Sequence, residues 1–347
     1  MNDLKQIKVK AKVHPFDGKH KKYCRILEEY YDIARPKVIN AIKIEIFHPK
    51  KNLKERQGAY EDYKKVILKL KPIFKRLVIE RNATFKKKDC TNFVDFKLKA
   101  DGVPEEKLKW FLSNTDKVIK NINQKLPLPK NLPHWYWSEF NIPDSLSFFR
   151  KTHKYIIPDD VYRLGQEAFP NIKEIIPRIK IEKKTGFNPI AIFIKETKSV
   201  IIKVPTKASL YNALTFIHEL GHAIEFIKLA DGRVDPLSRS RYWHEKQAYK
   251  FKFEFEELAL PEKVKDASRG EVLRVFLAAF FEWAIHTNPD QDFDEAYAKA
   301  INRCYPGRAN QKKNPFYVLE NGYIFRPGSS VMPSITETEL LLSNLSS

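Results

Sequence analysis

Cysteine is scarce and scattered: three in 347 residues, Cys24, Cys90 and Cys304, with no CxxC pair. That excludes a disulfide framework and a thiolate zinc site, and it fits a reducing compartment. Glycine is scarce too, at 11 against 21 prolines, and no internal repeat is present. Flexible low-complexity linkers and repeat arrays are thereby excluded. No stretch approaches the ~18 uncharged apolar residues of a membrane span. The opening MNDLKQIKVK lacks the apolar run of about 7–15 residues that marks a secretory signal, so a cytoplasmic location is expected.

What is present suffices for a globular protein. Apolar residues make up 43% and aromatics 13%, enough for a real core, and the length suits one large domain or two modest ones. The net charge of +20 is unevenly spread. Residues 1–130 hold 33 Lys/Arg and 16 Asp/Glu, or +17, and the remainder is near neutral at +3. Two regions with different tasks are expected, with a basic helical region over 1–130. A patch of this sign favours acidic peptide substrates, phosphate backbones or anionic surfaces. Lysines outnumber arginines 47 to 16, which suits solvated point charge better than bidentate base readout. With no helix-turn-helix, zinc-finger or RNP signature, nucleic acid is disfavoured as a partner.

Hydrophobic spacing organises the rest. From Lys22 to about Lys125 apolar residues recur at three-and-four spacing, which predicts helices that Pro36 and Pro72 kink or break. The proline-rich KLPLPKNLPHWYW (125–137) is the expected boundary. PRIKIE (177–182), PIAIFIK (189–195) and SVIIKV (199–204) are short, β-branched and bounded by turn residues. They predict a small antiparallel sheet in a mainly α fold. Helices resume after Pro205: one capped by Ser209 and ended at Asp231-Gly232, then others near 243–258, 270–286 and 292–303. The Ser/Thr-rich segment 329–347 is expected to be a mobile tail.

The chemistry sits inside FIHELGHAIEF. His218-Glu219-Leu220-Gly221-His222 is an HExxH motif. On a helix, residues i and i+4 stack one turn apart, so both imidazoles reach one Zn²⁺ and Glu219 lies beside its open position as general base. Apolar Phe216, Ile217, Ala223 and Ile224 flank the motif, and Gly221 permits close approach of a neighbour. No HxxGxxH extension follows, so a carboxylate from a later helix is expected as third ligand. Glu245, 23 residues beyond His222 and followed by the small Ala248, is the first candidate. Glu254, Glu256 and Glu257 in FEFEEL are competitors. Such a site hydrolyses peptide bonds: zinc polarises the carbonyl and its water, and Glu219 moves the proton. SVIIKV could offer a strand edge to an extended peptide.

These segments resemble the thimet oligopeptidase and oligoendopeptidase F family of zinc peptidases. TFIHELGHAIEF resembles its TLxHELGHxxH segment, VLRVFLAAFFEWAIH (272–286) its FRQxxFAEFExxIH helix, and NPFYVLENGYIFRPG (314–328) its PHFYxxFYVYxYxxG closing loop. The likeness covers roughly 131–328, the expected catalytic region. It implies a helical bowl or clam with one zinc deep in a channel for short unstructured peptides. It also implies that Tyr323, at a motif tyrosine, donates to the tetrahedral oxyanion, with Tyr317 the alternative. His286 matches a family helix position but is expected to be a satisfied core histidine. The family's third ligand begins an ExxSxxxE pattern; here Ala248 and Lys252 stand at the Ser and second Glu positions, and the closing loop lacks the family's His.

Two alternatives to an oligopeptidase come from other functional classes. One is a dedicated protease, of toxin or effector type, acting on one protein partner. The other is a non-catalytic binding module with a structural zinc, against which the intact Glu219 argues.

Overall fold

A computed structural model describes residues 21–33, 53–86, 90–126, 159–169, 172–184, 189–205, 210–319, 323 and 327–345. The proline-rich segment beyond Leu126, Pro36 and the Ser209 cap lie outside the described residues. The fold is mainly helical with one small sheet, as the sequence predicts. No helix among the described residues is long and apolar enough to cross a membrane. None of the three cysteines forms a disulfide among the described residues.

The described chain packs into two units. The first holds residues 21–33, 53–86, 90–98, 276–319, 323 and 327–331. Its long helix Leu53–Lys86 runs through Pro72 without breaking. A ring missing one amide is tolerated where buried side chains on either side, Leu70, Ile73 and Phe74, hold the helix to its core. Aromatics fill that core: Phe281 lies 5.0 Å from Tyr297, Tyr317 and Tyr323 between ring centres. Asp292 caps the helix Phe293–Cys304 by accepting from the amides of Asp294 and Glu295.

The second unit holds 99–126, 159–169, 172–184, 189–205, 210–275 and 332–345. Its sheet comprises β1 (Ile179–Lys184), β2 (Ile190–Ile194) and β3 (Ser199–Pro205) in the order β1-β3-β2. The three strands are those the sequence predicts, but the sheet is mixed. β2 and β3 form the expected antiparallel hairpin, whereas β1 pairs parallel to β3. β3 lies between the other two. Being paired on both sides, β3 offers no edge to a peptide, contrary to the sequence-based expectation for SVIIKV. Val200, Ile202 and Val204 of β3 alternate inward and are fully buried in the core that also takes Phe216, Leu220 and Ala223 of the helix Leu210–Asp231.

That motif helix stops at the predicted place. Gly232 and Val234 amides bond the carbonyls of Lys228 and Leu229, and Arg233 rather than Gly232 takes the left-handed backbone, φ 59°. A short turn follows, and Ser240 caps the helix Arg241–Ala259 through the amide of Trp243. The expected mobile tail is instead a helix, Val331–Leu345, with Met332, Ile335, Thr336 and Thr338 buried. Its hydroxyls misled: Thr336 and Thr338 donate to carbonyls four residues back and so bury as part of the helix.

Candidate metal centre

The motif helix and the helix Arg241–Ala259 lie in close contact because of two small residues. A Cβ placed on Gly221 would stand 2.9 Å from the Ala248 Cα and 3.0 Å from its carbonyl oxygen. Only glycine permits that approach. The approach brings His218, His222 and Glu245 together, with one donor atom of each within 4.8 Å of the others. Glu245 Oε2 lies 3.2 Å from His218 Nε2 and 3.7 Å from His222 Nε2. The imidazoles stand perpendicular, 4.8 Å between centres, as two rings converging on one point.

The competing carboxylates are elsewhere. Glu254 is half exposed and faces Lys250, Glu256 is buried against Lys252 and Ser268, and Glu257 pairs with Lys265 and Arg269. Lys252, at the family's second Glu position, is therefore neutralised by its own helix.

Glu219 points to the sheet. Its Oε2 accepts from the Ala191 amide of β2 at 2.7 Å. Burial pushes its carboxyl above the usual carboxylate range, although His218 and His222 pull the other way. Burial likewise opposes charge on Glu245, yet the two imidazoles facing it hold its carboxyl well below the usual range. Burial opposes charge on His222 as well, and the carboxylates of Glu245, Glu219 and Glu225 outweigh it and raise the imidazole.

Packing aims the rings. Tyr249 lies edge-on to His218 at 4.5 Å, and Phe226 stacks on His222 at 5.9 Å. The Nδ1 atoms of both histidines are buried without a hydrogen-bond partner among the described residues. Ligand imidazoles ordinarily donate that N–H to an acceptor.

Sequence reasoning missed three neighbours. Arg241 Nε lies 3.7 Å from Glu245 Oε1. Glu225, one turn beyond His222, meets His244 Nδ1 at 2.6 Å, and His244 is the residue before Glu245. Their signals were present as i+3 and i−1 offsets from the ligands, but no periodicity says that two such residues will meet.

Tyr323 and Tyr317 belong to the first unit. Tyr317 donates its hydroxyl to Asp294 Oδ1 at 3.1 Å, which satisfies its polar end. Tyr323 is 2% exposed; its carbonyl accepts from Arg81, and its hydroxyl has no partner among the described residues. His286 is a satisfied buried histidine, its Nδ1 2.8 Å from Asn82 Oδ1.

No family model and no curated protein matches this sequence. Solved structures do match its fold. A structure described as an oligoendopeptidase F superimposes with a TM-score of 0.55 at 14% identity, covering 92% of this chain and 64% of that one. Pz peptidase A with an inhibitor gives 0.52 at 14% identity over 93% of this chain and 64% of its own. An oligoendopeptidase F from Bacillus anthracis gives 0.50 at 12% identity over 94% and 75%. The fold is thus that of these peptidase structures, and the chain spans about 64% of the length of the first two.

Proposed function

We propose that this chain is a zinc metallopeptidase that hydrolyses peptide bonds, above all in short unstructured peptides. The reading rests on the convergence of His218, His222 and Glu245, with Glu219 of the same helix beside them, in a fold shared with oligopeptidases. Two imidazoles and a carboxylate are the donor set of catalytic zinc sites, which leave one position open. One zinc ion, when bound, would polarise the substrate carbonyl and make water acidic enough to ionise near neutral pH.

The chain's own residues do the remaining work. Glu219 Oε2 is tied to the Ala191 amide, which leaves Oε1 to take the proton of the attacking water and pass it to the leaving amine nitrogen. Burial favours the protonated carboxyl, so the proton is kept for that transfer. Among the described residues β2 pairs only with β3, and its Ala191 amide turns toward Glu219. β2, not β3, is therefore the backbone edge for an extended substrate. Tyr323 is the phenol that the motif resemblance offers to the oxyanion.

The test is cleavage of a mixed library of unstructured peptides, read by mass spectrometry, with Glu219→Gln beside the wild type. Cuts that vanish in the variant are expected. A zinc-loaded wild type that cuts nothing would sink the oligopeptidase reading in favour of a single protein substrate or a binding module.

A further inference from the structure

We infer that Glu225 and His244 form a buried clip between the two ligand-bearing helices and are positioning residues of the metal centre. Glu225 lies three residues beyond His222 on the motif helix, and His244 immediately precedes Glu245 on the other. The side chains meet at 2.6 Å, with 8% and 12% of each exposed. A hydrogen bond between a buried carboxylate and an imidazole is short, directional and costly to break, since either partner left alone is a desolvated polar group. The other nitrogen of His244 is anchored as well: Nε2 donates to the Pro236 carbonyl at 2.9 Å, in the turn joining the two helices. One imidazole thus ties the motif helix, the connecting turn and the start of the Glu245 helix.

Phe226 connects the clip to the ligands. Its ring stacks on His222, with 16° between planes, and meets His244 edge-on at 5.1 Å. Phe193 of β2 closes over it at 5.8 Å. His244 therefore presses Phe226 against the His222 imidazole while Glu225 holds His244 in place. This arrangement has a task to perform. The nitrogens facing away from the cluster, His218 Nδ1 and His222 Nδ1, have no acceptor among the described residues, so their rings lack the direct tether that ordinarily fixes a metal-binding imidazole. A contact across the helices supplies the stiffness instead.

The inference uses the proposed function only through its metal, so the experiment measures metal binding. Zinc affinity is determined by chelator competition for the full chain and for Glu225→Ala, His244→Ala, the double variant and Glu225→Gln, with the thermal midpoint of each metal-free protein alongside. The single alanine variants are expected to bind zinc about 10–100-fold more weakly, as loss of an outer partner does. The double variant should be no weaker than the worse single, because one contact is lost in all three. Glu225→Gln, whose amide can still pair with His244, should stay within a few-fold of wild type. A merely structural clip would lower the metal-free midpoint and leave zinc affinity unchanged; that result, or losses that add in the double variant, overturns the proposal. If the alanine variants do not fold, Glu225→Asp replaces them, with a several-fold loss of affinity expected and an unchanged affinity counting against the clip. A wild type that binds zinc but cleaves no peptide would sink the peptidase reading and leave the clip standing. Unaltered affinity in variants of an active peptidase would do the reverse.

Discussion

Two pairs of titratable groups, one in each unit, are driven in opposite directions by their surroundings. In the first unit, Glu282 and His286 are each 1% exposed. Burial pushes the Glu282 carboxyl up to about 8, even though it accepts from the Gly328 amide and Arg81 is near. Burial, helped by the charge of Arg81, holds the His286 imidazole well below its usual value. Both groups are driven to their neutral forms. In the second unit, the buried His222 and the partly buried Glu245 face each other and are driven toward charge. Desolvation alone neutralises; desolvation of opposite charges in one cluster preserves them. A divalent cation can exploit only the second arrangement, because it needs donors that already converge and a carboxylate that stays ionised.

The sharpest way to break this comparison is to remove the carboxylate. Glu245→Ala should weaken zinc binding by more than about a hundredfold, beyond what loss of an outer partner costs. His286→Ala should leave zinc stoichiometry untouched and cost about 1–3 kcal/mol, because Asn82 loses a buried partner. Metal analysis and melting of both variants separate the effects, and unchanged zinc in Glu245→Ala would reopen Glu254, Glu256 and Glu257. Tyr323→Phe should lower kcat about a hundredfold with little change in KM, the cost of one oxyanion donor. An unaltered kcat would make it a packing residue of the aromatic core.

The smallest effect concerns the Glu282 carboxyl. Because the folded value of Glu282 is raised, its contribution to stability is full below the unfolded value near ~4.3 and is lost as pH climbs through about 8. Stability should fall across that window with a slope of at most ~1.4 kcal/mol per pH unit. Glu282→Gln should flatten the profile. Urea titrations at several pH values check it, and equal slopes in the two proteins would show that Gly328 and Arg81 compensate the carboxylate fully.

Much of this was legible beforehand where the signal is local. The HExxH helix and its end, the helix predicted near 243–258 and the three strands follow from spacing and turn residues. Gly221 and Ala248 announced a close helix contact, and that contact brings Glu245 rather than Glu254 to the histidines. Errors arose where long-range pairing decides. Strand order placed β3 centrally and left β1 and β2 at the edges. A Ser/Thr-rich tail became a buried helix because its carboxylate Glu339 accepts from Tyr242 and Lys246 of the Glu245 helix.

The sequence by itself determined which residues could bind a metal and which helix carries them, because a four-residue spacing on a 3.6-residue helix leaves little freedom. Only the tertiary structure decided which distant carboxylate completes the set, which strand faces Glu219 and which buried pair clips the ligand helices together. Those choices depend on contacts between residues with no fixed separation along the chain, where close packing and the satisfaction of buried polar groups select one arrangement among many.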